Sequence, residues 1–198
     1  MIETIFIIFL LCFIFLFRYL YYNEVCYVET FDSNSYLVRN LPDKDEAAEL
    51  LAKIREKLII FVNNLIEIMD EDKSDNKDLL EYYKYVKMIK KRLPHSIIKE
   101  SSANSEYTSY SINKGEELVF CLRSKDTNEL HDINDIMYVA VHEIAHIGCP
   151  EIGHTLLFKK INKFLLQEAV KQNVYNYDNY RKNNKEYCGI ILSSNILD

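Results

Sequence analysis

His142, Glu143, Ile144, Ala145 and His146 put two imidazoles and a carboxylate into five consecutive residues. If the segment is helical, His142 and His146 leave the same face one turn apart. Two imidazoles so placed can both reach one Zn²⁺ at about 2.0–2.1 Å. Glu143, beside the first of them, is then within reach of water at an open position of the ion, where a carboxylate serves as general base. The rival reading is a set of solvated polar groups. Against it, the surrounding residues 132–148 are apolar at Ile136, Met137, Val139, Ala140, Val141, Ile144, Ala145 and Ile147, the pattern of a core helix. Three ionisable groups inside such a helix cost desolvation energy unless they are paired or hold a metal.

A third ligand has to come from elsewhere. Gly148 and Pro150 end the helix, and His154 arrives eight positions after His146, at the expected start of the next helix. A turn through Cys149 and Pro150 brings it back toward the pair. Three histidines with water in the fourth place form a catalytic rather than a closed structural arrangement. Glu151 in mid-turn and Cys149 near His146 stand as alternatives. His131, ahead of the helix, reads as a surface or capping residue. Glu168, farther on, reads as a solvated glutamate or as a carboxylate that orients a ligand imidazole from behind.

Several elements must position these groups. Residues 45–70 recur apolar at helical spacing (Ala47, Leu50, Leu51, Ile54, Leu58, Phe61, Val62, Leu65, Ile68), which predicts a long amphipathic helix. Residues 71–78 are its polar exit, and residues 79–94 make a second helix stopped by Pro94. The basic run at residues 87–92 reads as a solvated helix face. The period then changes: residues 95–100, 107–112 and 116–124 read as strands, with Asn113, Lys114 and Gly115 as the turn between the last two. Leu118, Phe120 and Leu122 alternate with Val119, Cys121 and Arg123, as a strand with one face on a core does. Asp132 or Asn134 is the expected cap of the histidine helix, and residues 154–172 make the helix after it. The polar stretch 176–187 reads as irregular and 188–197 as a terminal strand.

Upstream, residues 4–17 are unbroken apolar apart from Thr4, followed by Arg18 and several tyrosines. Counted through a snorkelling Arg18, this is about the length of a bilayer-crossing helix, with the tyrosines at the interface. Glu3 in the n-region and the lack of small residues after the run argue against a cleaved signal. A single-pass anchor in contact with membrane lipid is the expectation, its orientation unreadable. The 24 Lys+Arg against 30 Asp+Glu, net charge -6, argue against a nucleic-acid partner. Five cysteines without a CxxC pair do not make a disulfide scaffold, though one bridge is open.

Three segments, INKGEELVFCLRS, MYVAVHEIAHI and EIGHTLLFKKINKFLLQEA, resemble the SprT-like and WLM (Wss1-like) zinc metallopeptidases, in which a small sheet feeds a gluzincin-like HExxH helix. Gly153, His154 and Phe158 match the family's GHxxxF form. The resemblance covers about residues 107–170 and implies His142, His146 and His154 as zinc ligands, Glu143 as catalytic base, and Phe158 as packing behind the third ligand. The chain departs from the family in the seven-residue gap between His146 and His154, in its apolar leader, and in having no evident DNA- or ubiquitin-binding segment. Tyr187 or Arg181 is a candidate to stabilise an oxyanion, with a structural tyrosine as the alternative. The expected fold class is α+β: a transmembrane helix (1–22), a linker (23–43) and a small zincin-like domain (44–198). Its first part (44–94) is helical, and 95–198 carries a short antiparallel sheet, the HExxH helix and a following helix. The expected function is a membrane-anchored Zn²⁺ metallopeptidase acting on a protein or peptide. A non-catalytic, membrane-anchored zinc-binding scaffold is the alternative.

Overall fold

A computed structural model describes residues 2–71 and 77–198, without the side chains of residues 2, 3, 20–23, 77 and 78. The middle of the predicted polar exit, and the side chains of Tyr21 and Tyr22, therefore lie outside the described residues. The apolar leader forms α1 (Ile2–Glu24), as its pattern predicts. The anchor expected of it does not hold: no helix among the described residues is long and apolar enough to cross a membrane. The apolar run stops at Arg18, and residues 4–17 span about 21 Å at 1.5 Å per residue, short of the ~30 Å hydrocarbon core. The transmembrane part of the expected fold and the single-pass location are corrected accordingly.

Residues 23–43 are not an irregular linker. They contain β1 (Val25–Glu29) and β2 (Ser35–Arg39), an antiparallel hairpin from Val25 opposite Arg39 to Glu29 opposite Ser35. Its turn is held locally: Asp32 accepts hydrogen bonds from the Thr30 hydroxyl, the Asn34 amide and the Tyr36 hydroxyl. Asp, Ser and Asn between two short β-prone runs are a hairpin signal that polarity alone conceals.

The chain then makes α2 (Lys44–Glu71) and α3 (Lys77–Arg92), followed by a short 3₁₀ turn (Leu93–His95). Ala47, Leu51, Ile54, Leu58, Phe61, Val62 and Leu65 of α2 are fully buried. Leu50 is half-buried and Ile68 exposed, while Ile66 and Met69 take the buried positions at the helix end. In α3 the basic residues of the run 87–92 are exposed around a buried Ile89, as a solvated face requires.

The main sheet adds β3 (Ile97–Glu100), β4 (Tyr110–Ile112) and β5 (Glu117–Phe120), in the order β1-β2-β3-β5-β4. It is mixed rather than antiparallel. β2 pairs parallel with β3 and β3 parallel with β5, while β4 pairs antiparallel with β5. The helical segment between β2 and β3 is the reason, because parallel neighbours need a crossover of that length. β5 is covered on both faces, so the expected one-sided alternation fails. Arg123, just beyond it, is only 2% exposed. Its guanidinium donates to Glu100 at 2.8 Å and to Asp43 at 2.5 Å, so the charge is buried paired. A C-terminal hairpin, β6 (Lys185–Tyr187) and β7 (Ile190–Leu192), is tied to the residue just after β5 by a Cys121–Cys188 disulfide. Two further helices, α4 (Ile133–Gly148) and α5 (Leu156–Lys171), close the core.

Candidate metal centre

Asp132 starts α4, its carboxylate accepting from the Asn134 amide at 2.7 Å. Ile136, Met137, Ala140, Val141, Ile144 and Ile147 fix the helix in the core, which leaves His142 and His146 on the remaining face. At its end Gly148 sits in a tight space: a Cβ there would lie 3.0 Å from Ile89 and from the Tyr85 carbonyl. Cys149 caps the helix through its amide and is buried. The chain then loops out and returns through Gly153, whose φ of +79° suits glycine, although a Cβ there would touch nothing. Its use is the backbone turn and not close approach. His154 follows, two residues before α5, whose cap is the Thr155 hydroxyl.

The loop brings His154 onto the pair. Its Nε2 lies 3.0 Å from Nε2 of His142 and 3.2 Å from Nε2 of His146. Phe158, one turn into α5, stacks on His146 with ring centroids 4.0 Å apart and lies 4.9 and 5.0 Å from the rings of His142 and His154. It therefore backs all three imidazoles, and His146 most closely. Asn162, a further turn along, places its amide nitrogen 3.3 Å from Nδ1 of His142.

These groups suit a zinc ion on three counts. Ligand atoms about 2.0–2.1 Å from a tetrahedral ion stand roughly 3.3–3.4 Å from one another, close to the spacing of these Nε2 atoms. Burial, then the charge of neighbouring histidines, pushes His142 down to about 3. Burial, His154 and Lys114 push His146 down to about 4. Both rings are therefore in the neutral, ligating form at neutral pH. All three ligand atoms lie within 4.8 Å of one another, the one such group of three among the described residues.

Glu143, next to His142 on α4, lies against β4 and lines the same cleft as the histidines. It is 4% exposed, accepts a bond from the Ser111 backbone, and leaves Oε2 without a partner. Burial pushes its carboxyl up to about 8, against the opposing pull of that backbone bond. The three histidines and Glu143 open into a cleft of about 740 Å³, walled by Tyr107, Tyr110, Tyr138, Val139 and Ile152. β4, an edge strand, forms one side of it. Lys114, in the turn before β5, donates its ammonium to the Cys149 carbonyl at 2.6 Å and to the Glu151 carbonyl, tying that turn to the loop that carries His154.

The other sequence candidates are engaged with other groups. Neither Cys149 nor Glu151 joins the histidine group. His131 accepts from the Cys188 amide and packs on Tyr187. Glu168 pairs with Lys171 at 2.6 Å, and Arg181 with Asp198 at 3.1 Å. Tyr187 is buried, bonded to Ser109 and to the Cys121 carbonyl. Sequence reasoning missed Asn162 and Lys114. The signal for the first was present: His154, Phe158 and Asn162 recur every four residues.

No family model matches the chain. It is 38% identical over 176 residues to the uncharacterized protein R325 of Acanthamoeba polyphaga mimivirus, across 88% of this chain and 86% of that one. Over 82 residues it is 37% identical to the uncharacterized protein 042R of Invertebrate iridescent virus 3, spanning 41% of this chain and 50% of that protein. Among solved structures it is similar to Wss1 from Saccharomyces cerevisiae, at 16% identity and a TM-score of 0.44, over 67% of this chain and 85% of that chain. At that level of likeness, the chemistry of the centre rests on the chain's own residues. The match to R325 extends over most of both chains, and the chain belongs to the family of that mimivirus protein.

Proposed function

We propose that the chain is a zinc-dependent metallopeptidase that hydrolyses peptide bonds. The observation that carries this reading is the convergence of three imidazole Nε2 atoms beside a buried carboxyl, in a cleft large enough for a peptide. His142, His146 and His154, which line the cleft, would hold the ion. Zinc held by three neutral imidazoles supplies Lewis acidity, polarising a carbonyl and acidifying water. Glu143 is the general base. Burial raises the proton affinity of its carboxylate above that of an exposed one. It takes a proton from water as the water oxygen bonds to the carbonyl carbon. It then gives that proton to the amide nitrogen as the C–N bond breaks. The apolar walls keep bulk water from Glu143, and the aromatic side chains along the cleft suit a substrate with apolar side chains next to the scissile bond.

The test is a comparison of wild type with Glu143→Gln. Both should bind about one equivalent of zinc by metal analysis, and only wild type should generate new termini in a proteome-derived peptide library. Zinc-loaded wild type that cleaves nothing in such a library, with the same peptides left intact by the variant, would leave a zinc-binding scaffold as the better reading.

A further inference from the structure

His142 has two ring nitrogens, and the structure gives them different tasks. Nε2 faces His154 at 3.0 Å, on the side where all three imidazoles meet. Nδ1 faces the other way, into the packing between α4 and α5, where Asn162 lies 3.3 Å away. A metal on Nε2 needs a neutral ring, so the ring proton must then reside on Nδ1. A buried Nδ1–H needs an acceptor.

As oriented, Asn162 offers its amide nitrogen, which is a donor. That orientation suits a ring that is protonated on Nε2 and accepts at Nδ1. It sets two donors against each other once the proton moves to Nδ1. The two ends of an asparagine amide have nearly the same shape, and a half-turn exchanges them. The half-turn breaks no hydrogen bond of Oδ1, which is buried and makes none. The side chain itself is only 6% exposed, so water is not a ready substitute.

We infer that Asn162 is the positioning residue of the centre: its side-chain oxygen accepts the Nδ1–H of His142 and holds that ring with Nε2 toward the ion. The assignment rests on the zinc reading above and adds a residue to it. It also gives α5 a threefold task along one stripe. His154 just before the helix supplies a nitrogen, Phe158 backs the rings, and Asn162 orients the ring farthest from solvent. Glu168, the sequence candidate for this task, is engaged with Lys171 instead.

The test uses the full chain and zinc alone. Asn162→Leu keeps the branching at Cγ and removes the acceptor; Asn162→Asp keeps the acceptor. Zinc affinity, measured by competition with a chromophoric chelator, should fall roughly 10- to 100-fold in N162L, the usual cost of losing such a partner. N162D, which keeps an acceptor oxygen facing Nδ1, should restore it to within a few-fold of wild type, and N162D as weak as N162L would overturn the assignment. Urea denaturation of the metal-free variants reports whether each folds. If N162L does not fold, nitrogen-15 spectra of the His142 ring in zinc-loaded wild type decide the point. A slowly exchanging proton on Nδ1 is expected there, and a proton on Nε2 with the metal on Nδ1 would overturn the assignment. N162L that folds and binds zinc as tightly as wild type would overturn it too, with the metal reading intact. Wild type that takes up no zinc, beside an equally empty His142→Ala control, would end both.

Discussion

Replacing Glu143 by glutamine should make the metal-free protein more stable in mild alkali, and the structure gives the size of the effect. The carboxyl is pushed from 4.5 up to about 8, with burial as the leading cause. In the unfolded chain it ionises near 4.5, so between these two values the unfolded state has lost a proton that the folded state keeps. Stability from this group is therefore full below pH 4.5, falls as pH rises, and is exhausted above pH 8. A difference of 3.5 units at 1.36 kcal/mol each is about 5 kcal/mol over the whole window. About 2 kcal/mol of it falls between pH 6.5 and 8.

His142 and His146 work on the opposite side. Their values are depressed to about 3 and about 4 by burial first, so their contribution is present above pH 6.5 and lost as pH falls. For these three groups together, stability of the metal-free protein peaks near pH 6.5. Glutamine at 143 removes the alkaline limb and leaves the acid limb. Urea denaturation in the presence of a chelator, at half-unit steps from pH 5 to 9, reads both limbs. The difference between wild type and E143Q isolates Glu143 from other shifted groups, such as Glu100 and His131. The gap should widen by about 2 kcal/mol from pH 6.5 to 8. Parallel curves over that range would show that Glu143 is already ionised in the folded protein, and the argument for a base tuned by burial would fail.

Three other outcomes follow from the geometry. His154→Ala should lower zinc affinity by more than the roughly 100-fold that loss of an orienting partner costs, while Cys149→Ser and Glu151→Gln leave it near wild type; a zinc–sulfur distance near ~2.3 Å in X-ray absorption would refute the three-histidine set. Cys121 and Cys188 are 67 positions apart, and loop closure of that length makes their bridge worth about 4 kcal/mol, to be read as the loss of unfolding free energy in C121S/C188S. Gly115 has a φ of +92°, and a Cβ on it would sit 2.7 Å from Ile147 Cδ1; Gly115→Ala should cost at least about 2 kcal/mol from backbone strain and displacement of Ile147, measurable by thermal unfolding.

The parts of the fold that rest on local signals were legible in the sequence. The α4 motif, a cap at Asp132 or Asn134, the break at Gly148 and the return of His154 all follow from residue type and spacing; the structure makes Asp132 the cap and brings His142, His146 and His154 together. What the sequence hid depends on partners distant along the chain. β5 reads as one-sided because Arg123 is charged, yet Glu100 and Asp43 reach it from 23 and 80 positions away and make its burial tolerable. The mixed sheet is set by which strands the α2–α3 crossover joins, which no single segment records. The leader shows the converse error. Its composition suggested a span, but the uninterrupted apolar length that a bilayer requires is a stricter condition than apolarity, and Arg18 ends the run first. Asn162 combines both lessons: its spacing from His154 and Phe158 is local and readable, but only the packing of α5 on α4 turns a buried asparagine into the neighbour of a particular ring nitrogen. A residue of neutral, common type thus becomes specific through the one atom it faces.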